Sequence, residues 1–255
     1  MSSVVFGDVH GDARALRALI AKARALAGND VALYSVGDLI DRGPGSKGVI
    51  DICVGEGVQG ILGNHELWMH KLLLMGELED FALHGIMGGK KTLTSYGVAP
   101  IGEEEDLAEK LLEKIPDSHK EFFLSLPMHR KLVVGRDTYR LTHGGIPRLV
   151  GMHAETTVGA ALTGILHTSE HIADGVVDLL AKTQSEIFLW GGAKKTNVYA
   201  FSDGSYQIFG HTPWSGGAEI SEEGQYIALD TGCGTCPPYK LSGVLLSPEG
   251  GRKLL

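Results

Sequence analysis

Short apolar runs alternate with amphipathic stretches along the first 70 residues. Ser3–Phe6, Val31–Val36 and Gln59–Leu62 are apolar runs that each end at a glycine, which predicts three buried strands. Between them, the helical spacing of apolar residues after Asp12 predicts a helix to Ala27, and Ser46–Glu56 predicts a second. This alternation is typical of an α/β domain, in which functional side chains collect at the carboxyl ends of the strands.

The rest of the chain has a different pattern. Residues 67–130 are helix-rich and predict a helical insertion or lid beside the sheet. Helices are also predicted over roughly 154–182. Further strands are predicted at Lys131–Val134, Tyr139–Thr142, Tyr206–Phe209, Tyr226–Leu229 and Val244–Leu246. Because no repeat or linker divides the chain, we expect one domain over residues 1–255.

Composition excludes several classes of protein. Apolar residues make up 43% of the 255 residues and the mean hydropathy is +0.04, so the chain is neither disordered nor membrane-spanning. The formal charge of −8 argues against a partner that is a nucleic-acid polymer, which normally requires a basic face. Glycine is abundant, at 36 residues, and that abundance is typical of many tight turns.

Cysteine usage and the start of the chain bear on the compartment. Cys53, Cys233 and Cys236 are too few for a disulfide scaffold. The Cys233–Cys236 pair has no second pair to complete a zinc site, and a redox or metal role for it stays open as an alternative. Only six residues precede the first motif and they resemble a strand, so we expect no secretory leader and a cytoplasmic protein.

Five glycine-flanked motifs containing aspartate, asparagine or histidine follow predicted strands. They are Gly7–Gly11 (GDVHG), Gly37–Pro44 (GDLIDRGP), Gly63–Glu66 (GNHE), His143–Gly145 (HGG) and Gly210–Thr212 (GHT). One aspartate after a strand is usually a helix cap, but five such motifs in succession favour a shared site. Carboxylate, imidazole and amide ligands without thiolates suit Mn²⁺, Fe or Zn²⁺ better than Ca²⁺.

The five motifs together resemble the calcineurin-like metallophosphoesterases. The Asp41-Arg42-Gly43 triplet is similar to the mark of the phosphoprotein phosphatase branch, which includes bacterial members and the symmetrical diadenosine tetraphosphate hydrolases. The segments Gly88–Tyr96 and Asp230–Gly232 also resemble bacterial members of that branch. The resemblance spans residue 7 to about 246. It implies an αββα fold, with a central β-sandwich of mixed sheets flanked by helices.

The resemblance also implies a centre of two divalent transition metals, with Mn²⁺ as the first expectation and Fe or Zn²⁺ as alternatives. Asp38 would bridge the two ions, and a hydroxide between them would attack phosphorus in line. The full set of implied metal ligands is Asp8, His10, Asp38, Asn64, His143 and His211.

Three further roles follow from the same resemblance. His65 would protonate the leaving-group oxygen and would be oriented by Asp41, because a carboxylate behind an imidazole fixes its tautomer and raises its pKa. The alternative is a purely structural His65. Arg42 would bind phosphate oxygens through its planar fork, together with Asn64, and the alternative for Arg42 is a surface ion pair.

Two departures from the family pattern concern the substrate. Eukaryote-like members carry a second phosphate-binding arginine, but Arg148 lies too close to His143 to match it. Lys194 or Lys195 lies near the expected place and supplies charge without a bidentate fork, unless both belong to an exposed basic turn. The diesterase branches have Gly-His-x-His where this chain has Pro213 as the fourth residue, which favours monoester or pyrophosphate cleavage.

The sequence therefore predicts a metal-dependent phosphatase of the phosphoprotein phosphatase type, which hydrolyses phosphomonoesters. The first alternative is a symmetrical dinucleoside tetraphosphate hydrolase, and a remote one is a non-catalytic phosphate-binding scaffold. The expected partners are a phosphorylated protein, a small phosphate ester or a dinucleoside polyphosphate, with no nucleic-acid polymer and no membrane.

Overall fold

The fold is taken from a computed structural model. It describes residues 1–101, 103–146, 171–172, 182, 189–190, 198, 200–201, 203–214, 216–235 and 240–255. Lys194, Lys195 and Cys236 lie outside the described residues, as does most of the range 154–182.

The first sheet has four strands in the order β11-β10-β1-β2. Strand β1 (Ser3–Phe6) pairs in parallel with β2 (Ala32–Ser35) and antiparallel with β10 (Gly243–Leu246), which in turn pairs with β11 (Arg252–Leu254). Alternate side chains of β1 enter different cores, because successive residues of a strand point to opposite faces. Val5 packs between the two sheets, whereas its neighbours along the strand pack against the helices.

The second sheet has five strands in the order β3-β4-β7-β9-β8. The strands are β3 (His129–Val134), β4 (Asp137–Thr142), β7 (Tyr206–Phe209), β8 (Glu219–Ser221) and β9 (Tyr226–Ala228). Strands β4, β7 and β9 are parallel, and the two outer strands are antiparallel to them. Leu141, Ile208 and Ile227 from this sheet meet Val5 of the first sheet in the core between them.

Seven described helices lie between β1 and β3. They are α1 (Ala13–Ala27), α2 (Ser46–Gly55), α3 (Asn64–Met75), α4 (Asp80–Leu83), α5 (Gly89–Ser95), α6 (Glu104–Lys114) and α7 (Asp117–Leu124). Helix α1 begins as predicted, because the Asp12 carboxylate accepts a hydrogen bond from the backbone N–H of Ala15 at 2.9 Å. Two mixed sheets flanked by helices confirm the predicted fold class. The lid and single-domain assignments stay predictions.

Two predicted elements were wrong. Gln59–Leu62 lies beside β2, and the backbone N–H groups of Gln59 and Ile61 donate to the carbonyls of Leu33 (2.9 Å) and Ser35 (3.2 Å). It makes a single isolated bridge, between Gln59 and Tyr34, and not a regular strand. Gly60 weakens strand pairing in the middle of this run. Residues 171–172, predicted as helix, form strand β5 (His171–Ile172), which pairs in parallel with β6 (Ala200–Phe201). A partner strand far along the chain overrode the local pattern.

The described helices are short or amphipathic. None of them is both long enough and apolar enough to cross a membrane.

Candidate metal centre

The six predicted metal ligands come together at the carboxyl ends of the strands. Asp8 and His10 follow β1, Asp38 follows β2, His143 follows β4, and His211 follows β7. Asn64 is the first residue of α3. All except the partly exposed His211 are buried, at no more than 4% exposure. Five separate chain segments therefore meet in one cluster.

Asp38 occupies the middle of this cluster. Its Oδ1 lies 3.2 Å from His143 Nε2, and its Oδ2 lies 3.6 Å from His10 Nε2 and 3.8 Å from His65 Nε2. The carboxylate therefore faces imidazoles on both sides, as a ligand shared by two ions must. In each of two groups, His10 with Asp38 and His65, and Asp38 with His143 and His211, the possible ligand atoms lie within 4.8 Å of one another.

Asn64 links the second of these groups. Its Oδ1 lies 2.9 Å from His143 Nε2 and 2.9 Å from His211 Nδ1. Asp8 accepts a hydrogen bond from the backbone N–H of His211 at 3.0 Å, which joins the loop after β1 to the loop after β7. Nitrogen and oxygen donors arranged in this way fit a pair of transition-metal ions.

Backbone carbonyls orient two of the imidazoles. His10 Nδ1 donates to the carbonyl of Ile40 at 3.0 Å, and His143 Nδ1 donates to the carbonyl of Val36 at 2.8 Å. Because Nδ1 is engaged in each ring, Nε2 is the atom that faces Asp38. This is the usual way in which a protein orients a metal-ligating histidine.

Burial and neighbouring charges move the pKa values of the cluster apart. Burial lowers the pKa of His10 to about 3 and that of His211 to about 4. Burial also opposes the charged form of His143, but the charges of Asp38 and Asp8 outweigh it and raise the pKa of His143 to about 10. Burial also raises the pKa of Asp8, and the charges of Asp230 and Asp38 raise it further. Burial opposes ionisation of Asp38, but the adjacent His143 and His65 hold its pKa well below the usual range.

The backbone at this edge adopts unusual conformations. Six described non-glycine residues have φ between 45° and 70°, and five of them lie in the cluster or directly beside it: His10, Asp38, Asp41, Arg42 and His211. Such conformations cost on the order of 1–3 kcal/mol each and collect at functional sites. Gly37, at φ 96°, passes so close to the next loop that a Cβ there would lie 2.6 Å from the backbone nitrogen of Gly63.

Glu66, to which the sequence analysis gave no role, supports these strained loops. One of its carboxylate oxygens accepts from the backbone N–H groups of Asp38 (2.8 Å) and Gly63 (3.0 Å). The other accepts from those of Leu39 (2.8 Å) and Ile40 (3.3 Å). Glu66 is the third residue of α3 and bonds back to Gly63, the residue before the helix, which is the half of a capping box that does not need a side chain at that residue.

His65 and Asp41 form a buried pair beside the cluster. His65 Nδ1 lies 2.9 Å from Asp41 Oδ2, and both side chains are fully buried. His65 Nε2 has no hydrogen-bond partner among the described residues and faces Asp38. Burial lowers the pKa of His65, but Asp38 and Asp41 outweigh that effect and raise it above its ordinary value.

Of the four residues predicted to bind phosphate, the structure describes two. Arg42 lies at the cluster, with its Nη1 2.8 Å from His10 Nε2. Asn64 lies within it, as described above. Lys194 and Lys195 lie outside the described residues, so their role stays a prediction.

An aromatic pair lies at the exposed side of the cluster. The Trp190 ring packs edge-on against His211, with centroids 5.6 Å apart, and it also packs against the Phe81 ring at 6.2 Å. Trp190 and Phe81 are 43% and 52% exposed. Neither residue was predictable from the sequence, because they belong to no motif and only the fold brings them together.

Sequence comparison matches this chain to one protein family and to several named relatives. A family model for calcineurin-like phosphoesterases matches residues 1–215. The symmetrical bis(5′-nucleosyl)-tetraphosphatase of Hamiltonella defensa subsp. Acyrthosiphon pisum is 27% identical, over 91% of this chain and 90% of that protein. The protein of the same name from Escherichia coli O139:H28 is 42% identical over 26% of this chain and 24% of its own length.

Solved structures show the same fold. One, described as a candidate diadenosine tetraphosphatase, has a TM-score of 0.55 at 20% identity and is matched over 100% of this chain and 92% of its own. A protein serine/threonine phosphatase from Saccharomyces cerevisiae has a TM-score of 0.53 at 14% identity, over 97% of this chain and 73% of its own. The family model covers most of the chain, and the buried aspartate and histidine side chains form groups that could hold metal ions. The chain therefore belongs to the calcineurin-like phosphoesterase family.

Proposed function

We propose that this protein hydrolyses phosphate esters with two divalent metal ions held by Asp8, His10, Asp38, Asn64, His143 and His211. The observation that carries the proposal is the position of Asp38, whose two oxygens face imidazoles on opposite sides. Bound there, the two ions would neutralise the phosphate and lower the pKa of water for attack on phosphorus. Mn²⁺ is the first candidate, with Fe or Zn²⁺ as alternatives.

The protein's own groups supply the remaining steps. Asp41 keeps the proton of His65 on Nδ1 when the ring is neutral, so that the second proton of the imidazolium is carried by Nε2. His65 then donates the Nε2 proton to the departing oxygen. Arg42, at the edge of the cluster, binds two phosphate oxygens through its planar fork.

The first candidate substrate is a phosphomonoester on a protein, as in the phosphoprotein phosphatase branch. Asp41-Arg42-Gly43 and Pro213 favour cleavage of a monoester or a pyrophosphate over that of a diester, so they fit this candidate and the next one equally. Asp38→Asn should lower turnover of an aryl phosphate, and His65→Asn turnover of an alkyl phosphate such as phosphoserine, by orders of magnitude. Rates like those of the wild type in both variants would contradict the proposed mechanism.

The second candidate substrate is a dinucleoside tetraphosphate, cleaved symmetrically. It is supported by the relative matched over nine-tenths of both chains and by the exposed Trp190–Phe81 pair beside His211. Base–aromatic stacking contributes about 1–3 kcal/mol per base. These two rings therefore favour a substrate that carries a flat base over one that carries an aliphatic phosphoserine.

One pair of variants separates the two candidates. For a tetraphosphatase, Trp190→Ala should lower kcat/KM for diadenosine tetraphosphate about tenfold or more, while Trp190→Phe retains most of it. The same variants should leave the rate on a phosphoserine peptide within about twofold. Equal losses on both substrates would mean that Trp190 only supports His211, and a wild-type enzyme that prefers the phosphopeptide would favour the first candidate.

The remote alternative, a scaffold that binds phosphate without turnover, predicts a different metal content. A purified protein that never holds close to two transition-metal ions after loading would support it. The proposed location is the cytoplasm, as expected from the sequence.

A further inference from the structure

The Asp41 carboxylate makes three side-chain hydrogen bonds, of which only the one to His65 belongs to the proposed reaction. Its Oδ2 also accepts from Trp68 Nε1 at 3.0 Å. Its Oδ1 accepts from the hydroxyl of Thr92, on α5, at 2.6 Å. Thr92 is fully buried and lies 51 residues along the chain from Asp41. A hydroxyl that far away in sequence has been brought to the carboxylate by the fold.

Every hydrogen-bonding position of the Thr92 hydroxyl is used. A hydroxyl has one proton to donate and two lone pairs to accept. The proton goes to Asp41 Oδ1, one lone pair accepts from the backbone N–H of Asp41 at 3.0 Å, and the other accepts from the hydroxyl of Ser46 at 2.8 Å. Because its proton direction is fixed, Thr92 holds both the backbone and the carboxylate of Asp41.

The approach of α5 to Asp41 depends on the glycine before the helix. Gly88 has φ 82°, and a Cβ there would lie 2.6 Å from the backbone nitrogen of Arg42. Only glycine tolerates both that conformation and that contact. A second bond, from the backbone N–H of Lys47 to Ser95 Oγ at 3.0 Å, fixes the other end of α5.

We propose that Thr92 is a positioning residue for the reaction, which acts through Asp41 to hold His65 with Nε2 directed at the leaving-group oxygen. The proposal rests on the proposed function, in which His65 is the general acid. It assigns α5, a short helix outside the metal cluster, a part in proton transfer. Trp68 shares this task on the other carboxylate oxygen.

The role has a consequence that simple structural support does not have. Protonation matters most when the departing oxygen is a poor leaving group, as in an alkyl phosphate, and least for p-nitrophenyl phosphate. A misplaced His65 therefore slows alkyl phosphates more than aryl phosphates. A general loss of folding or of metal would slow both substrates equally.

The test uses the metal-loaded full chain. Thr92→Val removes the hydroxyl at nearly constant volume, Thr92→Ser restores it, and Trp68→Phe removes the second donor to Asp41. Thr94→Val is the matched control, because Thr94 lies on the same helix but is exposed and donates only to the carbonyl of Lys90. Steady-state rates are measured on phosphoserine and on p-nitrophenyl phosphate, with His65→Asn as the reference for complete loss of the acid.

We expect Thr92→Val to lower kcat on phosphoserine about tenfold and on p-nitrophenyl phosphate less than threefold, with KM nearly unchanged. Thr92→Ser and Thr94→Val should behave like the wild type. In a His65→Asn background, Thr92→Val should have almost no further effect, because both changes remove the same proton transfer. Trp68→Phe should show a smaller leaving-group dependence of the same direction, and it serves as the readout if Thr92→Val does not fold.

Equal losses on the two substrates, or an undiminished effect of Thr92→Val in the His65→Asn background, would overturn the positioning role of Thr92. If His65→Asn itself shows no leaving-group dependence, the general-acid role of His65 is wrong and the inference falls with it. A leaving-group dependence in His65→Asn that is absent from Thr92→Val and Trp68→Phe overturns the inference alone.

Discussion

Two buried histidines of this protein each contact an aspartate, but they occupy different kinds of region. His119, on α7, has both ring nitrogens engaged, with Tyr96 Oη 2.9 Å from Nδ1 and Asp51 Oδ1 3.0 Å from Nε2. His65, at the strand edge, has Asp41 on Nδ1, and no described residue hydrogen-bonds its Nε2. Buried polar atoms are normally paired, so an unpaired one directed at a carboxylate cluster indicates a reactive site.

The surroundings move the two rings in opposite directions. Burial lowers the pKa of His119, and the half-exposed Asp51 opposes this only in part. The pKa of His65 is raised, because Asp38 and Asp41 outweigh burial. The contact of a histidine with an aspartate is therefore not enough to identify function. The second nitrogen and the remaining charges decide whether the ring links helices or transfers a proton.

The largest expected effect concerns the cluster that His65 faces. Asp38→Asn removes the charge shared by both metal groups, so turnover of p-nitrophenyl phosphate should fall by orders of magnitude, together with metal content. Asp106→Asn, at an exposed position of α6, is the control and should behave like the wild type. A fully active Asp38→Asn variant would place the reaction elsewhere.

The comparison itself is tested by the same substitution at both histidines. His65→Asn should lower kcat on phosphoserine about 10²–10⁴-fold. His119→Asn should leave kcat within about twofold and lower the free energy of unfolding by about 1–3 kcal/mol, because Tyr96 and Asp51 lose their partner. Steady-state kinetics and urea unfolding measure the two effects. A larger loss of activity in His119→Asn than in His65→Asn would contradict the different roles given to the two histidines.

Glu66 tests the difference between residues that hold the site in shape and residues that take part in the reaction. In Glu66→Gln, either orientation of the amide turns its NH₂ group toward two backbone N–H donors. We expect a loss of at least about 2 kcal/mol in stability and about 10–100-fold weaker metal binding. Glu109→Gln, exposed on α6, is the matched control. Unchanged metal affinity in Glu66→Gln would show that Glu66 does not hold the Asp38 loop in its binding conformation.

The smallest expected effect is a pH dependence of stability. Since the folded protein lowers the pKa of His119 from 6.5, the unfolded chain takes up that proton first as the pH falls. The stability that neutral His119 contributes is therefore complete above pH 6.5 and declines below it. Urea unfolding at pH 7 and pH 5 should show a larger loss in the wild type than in His119→Asn. An equal or larger loss in the variant would contradict the assignment.

The sequence could predict the parts of this site that are local in the chain. A strand followed by glycine and a polar residue is a short pattern, so Asp8, His10, Asp38 and the strand ends that carry them were identifiable without coordinates. Helix α1 was equally local, with its cap at Asp12. The αββα class followed from the family resemblance and was confirmed.

Features that depend on distant segments could not be predicted in the same way. Thr92 bonds to Asp41 although the two lie 51 residues apart in the chain. Trp190 packs against Phe81 although β4 lies between them in the sequence. The run Gln59–Leu62 has the composition of a strand but forms a single isolated bridge with Tyr34. Local propensity cannot anticipate such partners, since tertiary contacts override it.

The most direct test of the central claim is a titration of the metal-free full chain with Mn²⁺, in which bound metal and hydrolysis of p-nitrophenyl phosphate are followed together. A two-metal phosphatase should bind two ions per chain, its turnover should rise with their occupancy, and chelation should abolish turnover reversibly. The Asp38→Asn variant should bind fewer than two ions per chain and should not hydrolyse p-nitrophenyl phosphate. Full turnover by a chelated protein free of transition metals, or wild-type turnover by Asp38→Asn, would contradict the two-metal mechanism.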